Sequence, residues 1–578
     1  MPAGGAKTGP KLNHRLAWLL EVLFYLSLSI ISTWPLVRHL GNRIPLGTEE
    51  VATVPLFNLW TLWWNADRLQ HFYQDYWNAP IFHPLEGAFA FSEPQPLTGL
   101  AAAGFQVLAG SPVFAYSAAV LLGLTLNGWT GCRLLRAVGI GWLPALAGGA
   151  MVLYLPFVQQ ELGVLQLVSL AGIILTLHAL VRLGEKPTAR RGLLLGLAFA
   201  ATALTCGYYA LSLSVLLLFG GGWLLVGRLQ QRATWYALGA ALLVSFAVLV
   251  PVAGQQLRIA ESHQLQRSPS TVKIFSAKWE HYRYTPWRQV VPTPGVETAD
   301  RPGARAFWPG TLKVGLALAG LLFGLRFGPR RWTAFCGTAL VAALLLSFGP
   351  GSGSLSLHDL LVESYPGFSQ LRSPFRFAVF VQLMVALLAA RGLGAIWTGT
   401  QLSLSWQRML VLCVGTMAAL ELRPTNQVLL PVPNLQAPLP WIAWVESETG
   451  PDDVFAFLPF PSGRDVQDYL ETSQWMFWQM RHRRSMVNGY SGFFPKPFRE
   501  LKGVLQHFPD TQSLEFLTER GVRYCVIVRG TFPRSAVETL ATPSHRLRWV
   551  FGDEVGELDI YELISRDRTT GPPRPSTS

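Results

Sequence analysis

Residues 234–253 read TWYALGAALLVSFAVLVPVA, a run of twenty residues without a single charge. As an α-helix, a run of this length matches the hydrocarbon core of a bilayer, which takes about 20 apolar residues to cross. Two basic residues, Arg228 and Arg232, stand just before it. An apolar run bounded on one side by arginine is typical of a membrane-spanning helix. The stretch therefore predicts a membrane protein, and the rest of the sequence decides how often the chain crosses.

Similar runs recur on both sides of this one. We predict spans at 16–37, 112–135, 140–157, 162–183, 190–206, 208–227, 234–253, 311–327, 332–348, 375–393 and 406–422. Of the 578 residues, 50% are hydrophobic and only 14% are charged, whereas soluble proteins carry about 25% charged residues. This composition argues against a soluble enzyme and against a disordered chain. The fold class that we predict is mainly α, a polytopic membrane helix bundle of about eleven spans.

The distribution of basic residues predicts the orientation in the membrane. Lys7, Lys11 and Arg15 precede the first span, and the predicted cytoplasmic segments together hold sixteen basic residues against one acidic residue, Glu185. By the positive-inside rule the N-terminus is cytoplasmic. The first span is expected to stay in place, because it is long and no small-x-small cleavage site follows it. We expect a multi-pass protein of the cell (inner) membrane, with external loops at 38–111, 254–310 and 349–374.

The net charge of +13 is spread over short clusters between apolar runs. Nucleic-acid binding needs the charge gathered on one polar face, so we expect no nucleic-acid partner. The five cysteines form no CxxC motif, which argues against a disulfide framework and a zinc site. The sequence also lacks GxxxxGK[ST], which argues against ATP hydrolysis.

The composition changes at about residue 425. Strand-like runs at 454–458, 522–528, 547–551 and 558–563 alternate with helical patterns at 466–481 and 512–520, which favours a small α/β domain. An odd number of spans places this domain outside the cell membrane. We therefore divide the chain into a membrane domain at 1–424, an extracytoplasmic α/β domain at 425–565 and a disordered tail at 566–578.

The first external loop carries two adjacent carboxylates, Glu49 and Glu50. A carboxylate at the membrane boundary can act as general base for a hydroxyl group. The alternative is that both are solvated loop charges. Downstream, the rings of Phe57, Trp60 and Trp64 share one helical face, which predicts a helix lying flat in the membrane interface. The apolar stretch at 97–109 is too short to span and is expected to re-enter the membrane surface.

Basic residues mark two further external stretches. Arg372 and Arg376 lie four apart in the sequence that leads into the tenth span, which predicts that they share one helical face. Guanidinium groups bind phosphate in a bidentate manner. The alternative is snorkelling to a lipid headgroup. The 254–310 loop contains Arg258, Glu261, Arg267, Ser268, Lys273 and Lys278. It either attracts an anionic substrate or is a solvated loop.

A divalent metal is a further candidate for the first loop, although no HExxH spacing is present. The ligands would come from His39, His71, His83, Glu49, Glu50 and Glu93. No series of buried ionisable residues crosses the predicted spans, which weighs against a proton-driven pump.

Three stretches resemble the GT-C superfamily of polytopic glycosyltransferases, and in particular its bacterial YfhO-like branch. They are the acidic loop followed by 58–64 and 82–84, then 371–376, and finally 487–493 with 521–524. The resemblance implies that Glu49 and Glu50 take the place of an acidic motif that usually contains Asp. It also implies that Arg372 and Arg376 hold the phosphate of a polyprenyl-phosphate-linked sugar. We therefore expect the acidic pair and these two arginines to converge at the extracytoplasmic boundary of the membrane. His83, Glu93 and Tyr490 are candidate substrate contacts.

The predicted function is sugar transfer from this lipid-linked donor to a glycan, lipid or protein acceptor on the extracytoplasmic face, with membrane lipid as a further partner. Two alternatives remain open at this point. One is a transporter or flippase of lipid-linked sugars, which predicts internal repeats and broken helices. The other is a non-catalytic scaffold on the same fold, which the change from Asp to Glu makes credible.

Overall fold

The computed structural model describes residues 14–299, 304–351, 356–399, 402–424, 426–532, 540 and 546–564. Lys7, Lys11 and the predicted tail at 566–578 lie outside these residues. The α-helices are α1 His14–Ser32, α2 Thr53–Gln70, α3 Pro96–Ala109, α4 Pro112–Ala137, α5 Trp142–Leu153, α6 Pro156–Gln160, α7 Ala171–Glu185, α8 Ala189–Thr205, α9 Gly207–Leu225, α10 Arg232–Ser262, α11 Pro269–Ile274, α12 Thr311–Phe327, α13 Arg330–Ser347, α14 Leu357–Ser364, α15 Ala378–Gly399, α16 Leu404–Leu420, α17 Pro440–Glu448, α18 Leu470–His482, α19 Lys496–Val504 and α20 Thr511–Glu519. The strands are β1 Arg43–Pro45, β2 Tyr284–Thr285, β3 Glu297–Thr298, β4 Leu429–Pro431, β5 Val454–Leu458, β6 Ser485–Met486, β7 Val522–Val528, β8 Leu547–Asp553 and β9 Leu558–Leu563.

The chain forms two compact units. Unit 1 comprises Met1–Leu40, Ser117–Leu249 and Arg267–Leu429, and unit 2 comprises Gly41–Tyr116, Val250–Gln266 and Leu430–Ser578. Unit 2 therefore joins most of the first predicted external loop to the C-terminal region. The predicted boundary between residues 424 and 425 stays a prediction.

Each of the eleven predicted spans contains a helix. Seven helical segments among the described residues are long and apolar enough to cross a membrane: Arg15–Ser32, Pro112–Ala137, Trp142–Gly163, Leu165–Glu185, Gly207–Leu225, Arg232–Ser262 and Pro374–Gly399. Helices α8, α12, α13 and α16 fall short of that length or hydropathy. The chain is a multi-pass membrane protein, and the count of eleven spans is not confirmed.

Glycine residues let the helices of unit 1 approach closely. A Cβ atom on Gly392 of α15 would strike the Leu316 carbonyl of α12, and one on Gly320 of α12 would strike the Leu388 carbonyl of α15. Small residues at such crossings are typical of helix pairs in membranes, where packing rather than the hydrophobic effect drives association.

Unit 2 contains a five-stranded sheet in the order β6-β5-β7-β9-β8. β5 pairs in parallel with β6 and β7, and β9 pairs antiparallel with β7 and β8. Every residue of β5 is buried. The expectation of a C-terminal α/β region is confirmed, and β5, β7 and β9 match the predicted strands to the residue.

Helix α2 differs from its prediction. It was expected to lie flat in the membrane interface, but it is buried along most of its length within unit 2. Trp60 is 0% exposed, and its Nε1 donates to Oε1 of Gln479 on α18 at 3.0 Å. The reason is that rings suited to a lipid interface gain as much from burial against protein. Helix α3 also packs on α2 and leaves Val107 and Leu108 exposed at its end, so its re-entry into the membrane stays a prediction.

Candidate functional site

Arg372 and Arg376 lie where the chain enters α15, in unit 1. They were expected on one helical face, but Arg372 precedes a 3-10 turn that contains Arg376. The Arg372 Cζ atom lies 4.9 Å from the centroid of the Phe275 ring, and the Arg376 Cζ atom lies 5.1 Å from that of Tyr208. The Tyr208 hydroxyl donates a hydrogen bond to the Ser373 carbonyl. Aromatic rings from two other segments thus support both guanidinium groups by cation–π contact.

A third guanidinium, that of Arg305, shares the Phe275 ring. Its Cζ atom lies 5.4 Å from the Phe275 centroid and 4.8 Å from that of Phe375. Arg305 also donates to the carbonyls of Ile274 and Ser276, at 2.7 and 3.2 Å. Burial lowers its pKa, and Glu161 acts in the opposite direction. Nothing in the sequence around Arg305 marks it as a site residue beyond its place in a basic loop.

Arg267 lies close to the same group. Burial, together with the like charges of Arg372 and Arg376, lowers its pKa to about 9. This effect requires the three guanidinium groups to be near one another. We call Arg267, Arg305, Arg372 and Arg376 the arginine cluster. A bound anion would offset the mutual repulsion within such a cluster.

Different residues of the 254–310 loop therefore fit the two roles predicted for it. Arg267 and Arg305 are half-buried members of the arginine cluster. In contrast, Lys278 is exposed and pairs with the exposed Glu280 at 3.4 Å. The solvated-loop interpretation fits Lys278, and the anion-attracting interpretation fits the two arginines.

Buried amides hold the backbone beside the arginine cluster. Gln160 donates to the Ala306 carbonyl at 2.8 Å, and Gln382 donates to the Phe307 carbonyl at 3.1 Å. The Gln382 Oε1 atom accepts from the backbone N–H of Phe157 at 2.9 Å. These contacts join the segment after Arg305 to two helices of unit 1. The cluster is therefore carried by a fixed backbone rather than by a free loop.

The acidic pair lies in unit 2. Glu49 is half-buried and Glu50 is exposed. Gly47 has φ +63°, a left-handed conformation that favours glycine, and the Glu49 backbone N–H donates to the Leu46 carbonyl at 3.2 Å. The Glu49 charge also interacts with Tyr116. The pair thus stands on a tight turn, and its predicted convergence with Arg372 and Arg376 remains a prediction.

His83 lies where two of the resembling stretches meet within unit 2. The backbone N–H groups of Phe82 and His83 donate to the carbonyls of Asn488 and Met486, at 3.0 and 3.1 Å. A Cβ atom on Gly489 would come within 2.6 Å of the Phe82 ring, so glycine is required at that position. Burial lowers the pKa of His83, which favours its neutral form.

Tyr490 and Glu93 have different surroundings. Tyr490 is 8% exposed, and its ring centroid lies 5.4 Å from that of Phe57 and 5.6 Å from that of Tyr469. This burial favours a packing role over contact with an acceptor. Glu93 is half-buried and stands two residues before Gln95, which donates to Asn58 on α2 at 2.8 Å. Both residues stay candidates only.

The predicted divalent metal has no support from side-chain geometry. Within the described ranges, no group of three or more His, Cys, Asp or Glu residues could hold a metal ion. His71 instead places its Nδ1 atom 2.8 Å from the Asp67 carbonyl. The five cysteines are free thiols. These residues do not fit a metal held by protein side chains alone.

No protein-family model and no curated protein sequence matches the chain. Among solved structures, the chain is similar to ArnT from Cupriavidus metallidurans bound to undecaprenyl phosphate, at 13% identity and a TM-score of 0.45 over 96% of this chain and 99% of that one. It is also similar to the Archaeoglobus fulgidus oligosaccharyltransferase, at 12% identity and a TM-score of 0.47 over 89% and 70%.

We base the fold assignment on the similarity to the arabinofuranosyltransferase AftD from Mycobacteria. It has 16% identity and a TM-score of 0.57, and it covers 96% of this chain. The chain spans 40% of the length of AftD. The YfhO-like branch stays a prediction. The chain has the fold of the GT-C glycosyltransferases, as its motifs predicted.

Proposed function

We propose that the chain is a membrane glycosyltransferase that moves a sugar from a polyprenyl-phosphate-linked donor to an acceptor on the extracytoplasmic face. The observation that carries this proposal is the arginine cluster within a GT-C fold. Fold alone does not decide function. Guanidinium groups held together by aromatic rings and a fixed backbone are suited to a phosphate group that stays in the membrane.

In the proposed reaction, the bond between the sugar C1 atom and the phosphate oxygen breaks. The electron pair remains on that oxygen, so negative charge increases on the leaving phosphate. Arg372 and Arg376 would stabilise this charge as it develops, and Arg267 and Arg305 would add to the positive potential. Because a lipid-linked donor cannot leave the bilayer, its phosphate has to be held at the membrane boundary.

The acceptor hydroxyl attacks C1, and its proton has to move to a base. We assign this role to Glu49, since it is half-buried whereas Glu50 is exposed to water. Glu50 would contribute negative potential beside it. The products are then the glycosylated acceptor, the polyprenyl phosphate and a protonated carboxyl group.

Transfer of radiolabel tests the proposal. Membranes that contain the full chain would receive tritiated undecaprenyl-phosphate sugars, and label in the acceptor fraction would be counted. We expect Glu49→Gln to lower the rate by about 10²- to 10⁴-fold, the usual contribution of a general base. Glu500→Gln, at an exposed position on α19, is the matched control.

Two results would contradict the proposal. One is undiminished transfer by the Glu49→Gln/Glu50→Gln double variant and by Arg372→Ala. The other is movement of labelled lipid across the membrane that survives all these changes without any transfer, which would favour the flippase alternative.

A further inference from the structure

A cavity of about 350 Å³ lies in unit 2 between the start of α2, the β4 segment and one face of α18. Its size falls in the range of small-molecule sites, about 300–1,000 Å³. The wall from α18 includes Gln474, Trp475 and Trp478. The opposite walls include Leu56 and Pro431.

Helix geometry sets the three α18 side chains toward the same space. Gln474 and Trp478 are four residues apart, and Trp475 and Trp478 are three apart, so they are neighbours on the helix surface. Both tryptophans are half-buried and Gln474 is exposed. The Trp475 ring stacks on Phe457 of β5 at 4.7 Å and 21°, which fixes its orientation against the sheet.

The chemistry of the lining indicates the class of ligand. Among the residues that the structure describes, no charged side chain lines the cavity, so these residues offer nothing to a phosphate or to a charged peptide. The face of an indole ring carries negative potential, which attracts the polarised C–H bonds on one side of a sugar ring. The Gln474 amide supplies both donors and an acceptor, as sugar hydroxyls require.

The position of the cavity in the chain links it to the proposed reaction. Ala52, which also lines it, stands three residues after Glu49 and two after Glu50. The turn that carries the acidic pair therefore leads directly into the cavity wall. A ligand bound there would lie beside the residues to which we assign acceptor activation.

We propose that this cavity binds a sugar ring of a neutral glycan, and that the acceptor of the transfer reaction is such a glycan. Trp478 and Trp475 supply the stacking surface, and Gln474 hydrogen-bonds the hydroxyl groups. The assignment of the bound glycan as acceptor rests on the proposed function. The binding of a neutral glycan in the cavity does not depend on the proposed function.

Saturation-transfer NMR on the full chain in nanodiscs tests the proposal without any donor present. The probes are neutral trisaccharides of arabinose, mannose, galactose and glucose. We expect at least one to bind, and Trp478→Ala to weaken it by about tenfold, the effect of losing one aromatic contact. Trp549→Ala, at a position on β8 that is 58% exposed, is the matched control and should bind as the wild type does.

Failure of all four trisaccharides to bind would overturn the proposal, as would equal binding by Trp478→Ala. If Trp478→Ala lowers the melting temperature, Gln474→Ala decides, because its side chain is exposed and contributes little to folding. We expect Gln474→Ala to weaken glycan binding about threefold. Wild-type affinity in Gln474→Ala would overturn the proposal. Displacement of the glycan by a short-chain phospholipid alone, with no effect of Gln474→Ala, would identify a lipid site instead.

The two proposals fail in different ways. Glycan binding that depends on Trp478, combined with no sugar transfer under any condition, would contradict the proposed function and leave the cavity assignment standing. Transfer that depends on Glu49 but not on Trp478 or Gln474 would contradict the assignment of the bound glycan as acceptor and leave the proposed function standing.

Discussion

Trp60 on helix α2 of unit 2 and the rings of the arginine cluster of unit 1 have different partners. Trp60 contacts other rings, and it stacks on Trp64 with centroids 6.3 Å apart and planes 3° apart. Trp64 in turn contacts a cation, because the Arg68 Cζ atom lies 4.5 Å from its ring centroid. In the cluster the rings face cations, as Phe275 faces both Arg305 and Arg372. The first arrangement is fully buried, and the second keeps its guanidinium groups half-exposed.

The difference separates stability from function. A ring buried among rings contributes dispersion and burial energy to the fold. A ring beneath a guanidinium positions a charge that another molecule can use. We therefore expect substitutions in α2 to act on stability and substitutions in the arginine cluster to act on activity.

The largest effect is expected for Trp60→Ala. Removing a fully buried indole leaves a cavity and costs about 3–5 kcal/mol, and it also leaves the Gln479 side chain without its indole partner. The free energy of unfolding, measured with denaturant in detergent micelles, checks this. Trp235→Ala, at a site on α10 that is 60% exposed, should change it little. Wild-type stability in Trp60→Ala would contradict the structural role given to α2.

The next effect concerns Arg372. If it holds the donor phosphate, Arg372→Ala should lower sugar transfer by about 10- to 100-fold, the usual loss for a hydrogen bond to a charged group. Arg372→Lys should not restore the rate, because an ammonium group cannot bind in a bidentate manner. The melting temperature should stay unchanged, as it should for the exposed control Arg548→Ala. A large drop in the melting temperature of Arg372→Ala combined with normal sugar transfer would show that Arg372 acts on stability rather than on activity.

A smaller effect is expected for the loss of stability of unit 2 at acidic pH. Burial, with a contribution from Arg484, lowers the pKa of His482 to about 3, against about 6.5 in the unfolded chain. The folded state therefore favours the neutral ring, and this stability is present above pH 6.5 and is lost as the pH falls toward 3. The slope is at most about 1.4 kcal/mol per pH unit.

Melting temperatures recorded from pH 7.5 to 4.5 check this expectation. His482→Gln should flatten the decline, whereas His507→Gln, at an exposed site, should leave it as it is. In unit 1, burial and Arg305 lower the pKa of His281 to about 4, so His281→Gln should flatten the same profile to a lesser degree. An identical profile in His482→Gln and wild type would show that its burial does not control acid stability.

The smallest effect is expected at the surface of the sheet. Asp559 and Arg529 form an ion pair at 2.7 Å with side chains 20% and 41% exposed, and the pair lowers the pKa of Asp559. Such pairs contribute about 0.2–1 kcal/mol. Asp559→Asn should therefore lower the free energy of unfolding only slightly at pH 7, and less in high salt. A loss as large as that of Trp60→Ala would contradict the distinction between core and surface.

Sequence patterns predicted those elements whose signal is contiguous. β5 is an unbroken apolar run and β7 is interrupted only by Arg523, while α20 begins after an Asp510 N-cap and ends before Gly521. The two-residue strand β6 is too short to leave a pattern. The prediction for the surroundings of α2 was wrong, because the same aromatic face can pack against lipid or against protein.

The candidate site was predicted only in part for a related reason. Arg372 and Arg376 stand out in the sequence, but the ring of Tyr208 that supports one of them lies on α9. Tyr208 and Ser373, which share a hydrogen bond, are 165 residues apart. Contacts of this kind depend on how helices pack, and no local spacing records them.

The composition of unit 2 has a consequence for biogenesis. Trp60 and Gln479 form a buried hydrogen bond across 419 residues of chain. At synthesis rates of about 5–20 residues per second, the aromatic face of α2 emerges roughly 20 to 80 seconds before its partner helix exists. During that interval a translocon, a chaperone or the lipid surface has to shield these rings, and a ribosome stalled before residue 470 would leave them uncovered.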